Sequence, residues 1–467
     1  MGFLKRERLD ALRHRLVSSK FVRDTAALQA GKLVTIGLAS LSYVLTLRLL
    51  GPDEYGVYGL ALGLIALLFT FDLTGMGTAA PTRLGIAIGG RDAAEVLNIM
   101  AVFIRTSMIV NALIIAFLWL LGGALAGALY SAGARIGALA ALLALALPAD
   151  SIYALITTSL QARRQMPALA LVQTGNQLTF TICVLVALLI RPQAESLVAA
   201  RLVYSYLTML LAWAAYARLR AQTEMAFPPL AQVFARARVV AVRPYLGFGV
   251  VVAVDKSLGN LLVQLPQQMV GILAGERAAG FLISTLNGIS HLSVLTSALF
   301  DNMQAVIPHR IGQRDYAGLW RILGRVLAVL LIGGVLVYGA LALAAPFFIP
   351  LLLGARWQEM IPVFVVLTIF GVITTVGGVF GPLYRGLNRL RGAILSKLLA
   401  LGLALAFGFL MLMSAGSDLP GQGTPDMMLR AALVGAWMVN LTFGVSVLLT
   451  AWVSLRALRQ AKDVDSR

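Results

Sequence analysis

Apolar runs of 20 or more residues recur along all 467 residues of this chain. A helix of about 20 such residues crosses roughly 30 Å of hydrocarbon. No water is present there to satisfy backbone N–H and C=O groups, so a spanning segment must be a helix or a strand of a closed barrel. The runs lack the period-two alternation of barrel strands, which leaves helices. Only 12% of the residues are charged, where a soluble chain has about 25%. The chain reads as an all-α polytopic membrane protein.

Hydropathy places twelve spans near 26–50, 56–81, 95–121, 134–160, 167–190, 196–217, 245–272, 278–307, 321–345, 361–384, 391–414 and 427–455. Pro or Gly punctuates many junctions, as in "LGPDEYG", "RRQMP" and "GARWQEMIP". The implied organisation is a basic arm (1–25), a six-helix bundle (26–217), a basic linker (218–244), a second six-helix bundle (245–455) and a tail (456–467). The apolar stretch after the arm is of full length and lacks a small-residue cleavage site, so the first helix is expected to stay in place. Cys183 is the only cysteine, which excludes a disulfide within the chain.

Charge sets the expected orientation. With the N-terminus in the cytoplasm, the cytoplasmic segments carry 28 of the 38 Lys and Arg residues, and the opposite side carries seven, including Arg135, Arg201 and Arg277. By the positive-inside rule both termini are cytoplasmic and the span count is even. The same split accounts for most of the net charge of +18. Topology and anionic lipid therefore explain the basic loops without nucleic acid.

The chain also repeats itself. "IGGRDAAEVLNIM" (88–100) returns as "IGQRDYAGLWRIL" (311–323). Within one residue, the same offset pairs Gly51 with Gly275, Gly56 with Gly280, and the 160–170 loop with 384–394. An even number of spans per half orients both halves alike, around a pseudo-twofold axis along the membrane normal. Two like bundles imply a central cavity opened to each side in turn. A duplicated scaffold without transport is the plainer alternative. Locally, Asp92 is placed to cap a helix, with Glu95 in the first turn.

Residues 47–85 carry Gly51, Pro52, Glu54, Tyr55, Gly56 and Tyr58, then Asp72, Leu73, Gly75, Gly77 and Arg83. In this pattern the chain resembles polysaccharide flippases of the multidrug/oligosaccharidyl-lipid/polysaccharide (MOP) superfamily, although Thr74 interrupts the usual "DLG". "LQARRQMPALALVQ" is similar to that family's loop between helices 4 and 5. The resemblance implies a flippase that carries an oligosaccharide on undecaprenyl pyrophosphate to the periplasmic leaflet. It would serve O-antigen, capsule or exopolysaccharide synthesis in a bacterial inner membrane. Twelve spans match the O-antigen (Wzx-type) branch better than the lipid II branch, which usually has fourteen. Other polysaccharide-assembly proteins are further expected partners.

A polar headgroup needs a polar path, and its pyrophosphate needs cations. Buried charge is costly in a membrane and marks function. The candidate lining is Lys32 and Ser42 in span 1, on a face shared with Thr35, Ala39 and Thr46; Arg105 in span 3; Gln173 and Gln177 in span 5; Lys256, Asn260 and Gln264 in span 7; and Asn287 in span 8. Each has a structural alternative. Lys32 can snorkel, the small and polar residues can pack helices, Arg105 can pair with Asp72, and Asp255 can neutralise Lys256. Asp72, Asp255 and His291 are the candidates for H⁺ or Na⁺ coupling. The membrane potential alone supplies about 2.3 kcal/mol per charge per 100 mV, so no ion is strictly required. No cofactor is expected. The chain has no P-loop, and three histidines with one cysteine offer no credible zinc site. A drug or cation antiporter of the same superfamily is the main alternative. A membrane enzyme is disfavoured by short outer loops, and a recruiting scaffold would be indifferent to cavity substitutions.

Overall fold

The computed structural model describes residues 20–465 apart from 73, 75, 164, 222–226, 388 and 415–424. Side chains are described from residue 34 on, outside 77–79, 82, 246–249, 251–252, 292–302, 304–305, 308–309, 312, 412–425 and 462–467. The elements are α1 (Lys20–Leu49), α2 (Pro52–Leu68), α3 (Met76–Gly89), α4 (Ala93–Leu129), α5 (Gly133–Ala144), α6 (Leu147–Ala162), α7 (Met166–Ile190), α8 (Ala194–Leu219) and α9 (Leu230–Ala237). There follow α10 (Arg243–Gly312), α11 (Tyr316–Leu353), α12 (Ile361–Gly377), α13 (Phe380–Gly386), α14 (Leu390–Ser414) and α15 (Pro425–Asp465). Among the described residues there is no strand.

Among the described residues nine helices are long and apolar enough to cross a membrane, and α5 with α6, bent by 40°, makes a tenth crossing. α1 adds another, with an apolar part at Val34–Leu49. Gly275, at φ 85° and ψ 179°, divides α10 into two arms, 243–274 and 276–312, since only glycine enters that region without strain. Twelve passes result, six in each half. Their outward faces carry Leu120, Ile190, Leu343 and Phe347, each nearly four-fifths exposed, as a hydrocarbon surround requires.

The second expected span is not continuous. α2 gives way to a single 3-10 turn at Phe69–Phe71, and helix resumes at Met76. Asp72 causes the break locally. Its Oδ1 accepts from the Thr74 amide (3.1 Å) and hydroxyl (2.6 Å), an Asx turn that competes with the helical ladder.

The repeated "RD" dipeptide builds the same junction twice. Arg91 (φ 54°) and Arg314 (φ 58°) are the positive-φ non-glycine residues among the described residues. The amides of Asp92 and Asp315 each donate at 3.0 Å to the carbonyl five residues back, as in a Schellman cap. Each Asp then caps the next helix, accepting from Glu95 N (2.9 Å) and Gly318 N (2.8 Å). The Glu95 carboxylate does not complete a capping box; it accepts from the Tyr245 hydroxyl at 2.8 Å.

Residues 227–242 of the linker form a strap along the first half. α9 turns Leu230, Val233 and Ala237 inward against α4, Arg236 donates to Asn98 (2.8 Å), and Arg105 donates to the Val240 carbonyl (2.5 Å).

Call the end of the bundle that carries the chain termini proximal, and the other distal. At the distal end the halves share one hydrophobic core, from Leu47 and Leu60 to Phe281, Trp357 and Val439. Toward the proximal end the core splits into two clusters, one around Met100 and Tyr216 that also takes in Tyr245 at the start of α10, and one around Ile307 and Leu383 of the second half. The molecule is therefore closed distally and divided proximally.

The distal closure is pseudosymmetric. A Cβ on Gly56 would run into the Glu276 carbonyl, and a Cβ on Gly280 would run into the Pro52 carbonyl. Shifting 52 and 56 by 224 gives 276 and 280, so the two contacts are mates across the pseudo-twofold axis, as in an isologous interface. The ion pairs follow the repeat to within one residue, with charges exchanged. Arg135 grips Glu54 (2.9 and 2.6 Å) in the first half, and Arg277 grips Glu359 (3.1 and 3.2 Å) in the second. Between the halves, Glu276 accepts from Ser131 Oγ (2.8 Å) and Ala132 N (2.8 Å), Trp357 Nε1 donates to the Leu47 carbonyl (2.7 Å), and Arg277 lies 3.7 Å from Asp53.

Gly56→Val should therefore open the distal end, because overpacking a tight contact costs about 1–3 kcal/mol. Spin labels at the exposed distal positions Arg191 and Arg356, in a Cys183→Ala background, should report a longer separation than the same labels without Gly56→Val. An unchanged distance distribution would remove the glycine contact from the closure.

Candidate functional site

Between the halves lies a cavity of about 580 Å³, the size of a small-molecule site. α2 contributes Tyr55, Tyr58, Gly59 and Gly63, and the 3-10 turn after it Phe69; α6 contributes Asp150 and Ser151; α8 contributes Arg201. The second half adds Gln264 and Gln267 from the first arm of α10, and Asn287 and Ser290 from the second. Gly59 and Gly63 let Ile283 and Gln268 of α10 pack directly against α2, since a Cβ at either glycine would run into those side chains.

Asp150 and Arg201 are the charged residues of the described lining. Arg201 Nη2 donates to Asp150 Oδ2 at 2.6 Å, and its guanidinium carbon stands 4.8 Å from the centre of the Tyr204 ring. Both side chains keep about a third of their surface accessible. The pair is neutral as a unit, yet a negative ligand can compete with Asp150 for the planar guanidinium. Gln264 Oε1 and Gln268 Nε2 are buried without a hydrogen-bond partner among the described residues. Such orphaned amides carry a desolvation cost that a ligand hydroxyl or phosphate oxygen relieves.

Of the residues expected from sequence, Gln264 and Asn287 line this cavity, and Asn287 Nδ2 donates to the Tyr55 hydroxyl at 2.9 Å. Lys256 and Asn260 are exposed at four-residue steps before Gln264, so the polar stripe of the first arm runs from the cavity toward the proximal opening. The Lys32 side chain lies outside the described residues, as do the residues before Lys20.

The remaining candidates are engaged elsewhere. Ser42 is buried and bonded to Thr181 at 2.6 Å, and Thr35 meets Thr174 at 3.4 Å. The polar faces of α1 and α7 are thus spent on each other, the packing alternative. Gln173 is exposed and Gln177 half-buried, and neither is among the cavity lining. Arg105 and Asp72 do not pair: Arg105 holds the strap and Asp72 caps Thr74. Asp255, 1% exposed, does not pair with Lys256. Its carboxylate accepts from Lys397 Nζ (2.6 Å), Tyr384 Oη (2.8 Å) and Arg385 Nη2 (3.1 Å). It is already neutralised by two cations, Arg385 of α13 and Lys397 of α14. His291 is half-buried, its ring 5.5 Å from that of Tyr43. Among the described residues no group of three or more His, Cys, Asp or Glu side chains is placed to hold a metal ion.

Asp150 and Arg201 themselves are absent from the sequence candidates. Arg201 falls near the start of a span and counts there as a loop cation. The signal that could have found the pair is two opposite charges, each a few residues to a dozen inside spans 4 and 6.

Residues 44–362 match a family described as polysaccharide biosynthesis proteins. In fold, the chain is similar to an inward-facing multidrug-resistance MATE transporter of the MOP superfamily, with a TM-score of 0.69, 15% identity, and coverage of 92% of this chain and 96% of that one. An outward-facing MATE transporter gives a TM-score of 0.62 at 15% identity, covering 96% and 98%. A MOP-superfamily transporter from Pyrococcus furiosus, described as having a binding pocket of reversed polarity, gives 0.62 at 17% identity, covering 94% and 96%. No curated protein matches the sequence.

The Asp255 cluster yields a stability test. Lys397→Met should cost about 3–5 kcal/mol, because breaking a buried pair leaves a carboxylate short of its counter-charge. The melting temperature in detergent should fall, and Asp255→Asn together with Lys397→Met should recover most of the loss. Equal melting of the single variant and the wild type would show that the pair contributes no stability.

Proposed function

Because the chain belongs to the polysaccharide biosynthesis protein family and carries the fold of the MOP-superfamily transporters, we propose that it is a flippase for an oligosaccharide linked through a diphosphate to a polyprenyl lipid. It would work by alternating access in a bacterial inner membrane, with both termini in the cytoplasm. The observation that carries this reading is Arg201 in the shared cavity, held by a carboxylate that an incoming diphosphate can replace. The division of the halves at the proximal end supports the direction. That end carries the basic loops, which the positive-inside rule assigns to the cytoplasm. At 580 Å³ the cavity accommodates a diphosphate and the first sugar. Further sugars would extend past Asn260 and Lys256 toward the opening. Movement of the anionic group outward is downhill in a membrane that is negative inside, and no ion site is needed for it. Membrane lipids, and other polysaccharide-assembly proteins at the proximal face, are the partners this reading implies.

A second reading, export of a cationic drug, is favoured by one observation: Asp150 also faces the cavity. The two readings predict opposite results. For the flippase, Arg201→Ala removes a charge-assisted contact of about 1.5–3 kcal/mol, a roughly ten- to hundredfold loss of flipping. Asp150→Asn spares function. For the cation exporter, Asp150→Asn is the damaging change. Lipid-linked oligosaccharides extracted from cells, identified by mass spectrometry and assigned to a leaflet, should accumulate on the cytoplasmic side with Arg201→Ala. Drug resistance lost with Asp150→Asn, and an unchanged lipid-linked pool in both variants, would move the assignment to cation export.

A further inference from the structure

A second cavity of about 410 Å³ lies at the seam between the halves. α2 and α4 of the first half and the first arm of α10 and α14 of the second build its walls. They supply Leu64, Phe71, Phe117, Leu265, Met269 and Phe409, hydrocarbon throughout. The polar groups there are Tyr130 and Gln268, and the Tyr130 hydroxyl donates to Gln268 Oε1.

α2 and the first arm of α10 separate this groove from the polar cavity and present neighbouring residues to each. On α2, Gly63 lines the polar side and Leu64 the apolar side. On α10, Gln264 lines the polar side and Leu265 the apolar side. At the break in α2, Phe69 lines one and Phe71 the other. Non-helical backbone at membrane depth is tolerated where it is buried or lines a cavity, and here it stands where two cavities meet. Gln268 is 2% exposed, and its unpartnered Nε2 sits against Gly63, in the dividing wall.

We infer that this groove receives the polyprenyl chain of the same cargo molecule whose diphosphate occupies the polar cavity, an inference that rests on the flippase reading. A bilayer acyl chain has no hydrophobic reason to enter, since it exchanges one hydrocarbon surround for another. A chain covalently joined to a headgroup bound next door is different. The tether raises its effective concentration at the groove, and no new contact is required. The Gln268 Nε2 donor lies where the diphosphate would join the chain, and it offers an oxygen there the hydrogen bond that the amide lacks.

The test is photocrosslinking in native membranes. A benzoylphenylalanine replaces Met269 in the groove, Leu405 as a second groove position, or Leu343, 79% exposed on the outer surface, as the control. Adducted lipids are identified by mass spectrometry. Polyprenyl-linked adducts should be enriched over phospholipid adducts by roughly tenfold or more at 269 and 405 relative to 343, as tethering requires. The same ratio at all three positions, or capture of another polypeptide in the groove, would overturn the inference. Arg201→Ala in parallel separates this failure from failure of the flippase itself. If that variant accumulates cargo in the cytoplasmic leaflet while the groove captures only phospholipid, the groove assignment alone falls. If neither signal appears, the flippase reading falls and takes the groove with it.

Discussion

Everything distal in this molecule hangs on a backbone contact between two glycines. Gly56 and Gly280 bring the turns at Pro52 and Glu276 to direct apposition, and no residue with a Cβ can stand in either place. The surrounding ion pairs and the Trp357 hydrogen bond need that approach, because their reach is a few ångströms. Since the contact is its own mate across the pseudo-twofold axis, closing one side of it closes the other. A single tight point with divided cores behind it makes a hinge about the distal end, so the proximal opening follows from the place where the halves are allowed to touch.

Charge inside the bundle is handled by pairing. Asp255 is gripped by Lys397 and Arg385, and Asp150 by Arg201. The two pairs differ in access. Asp255 is sealed, and its partners complete it, so the cluster is a structural tie between α10 and α14. Asp150 and Arg201 keep part of their surface open to a cavity, so their bond can be traded for another. In a low-dielectric interior an unpaired guanidinium is costly. On the proposed flippase reading, the resident carboxylate holds it ready for a ligand that brings its own negative charge.

The spans were legible because hydrocarbon imposes a length and a composition on any crossing segment. The "RD" junctions were legible as helix caps because capping is local, set within five residues. The continuous second span was misread for a related reason: "FTFDLTGMG" is apolar enough to continue, and one side-chain bond from Thr74 to Asp72 ends it. Polar residues were harder. The faces of α1 and α7 have the composition of a cavity wall, yet Ser42 and Thr181 satisfy each other 139 positions apart. Arg105 was legible as buried but not as the anchor of a strap, since its acceptor is a backbone carbonyl that carries no side-chain signature. Asp150 and Arg201 are 51 positions apart, and only the packing of α6 against α8 makes them one group.

The two cavities pose a problem that a carrier of ordinary solutes would not have. A water-filled site beside a hydrocarbon groove must be separated by a wall, because water against apolar surface is unfavourable. Here the wall is made of α2 and the first arm of α10, which belong to different halves. Any rocking of one half against the other therefore shears the wall along its length. α2 is already unwound at Phe69–Phe71, where that shear would otherwise strain a continuous helix. For a cargo wholly soluble in water such a seam would be a leak. For an amphiphile, whose polar and apolar parts must cross together while staying in different surroundings, it is the path that keeps each part solvated throughout.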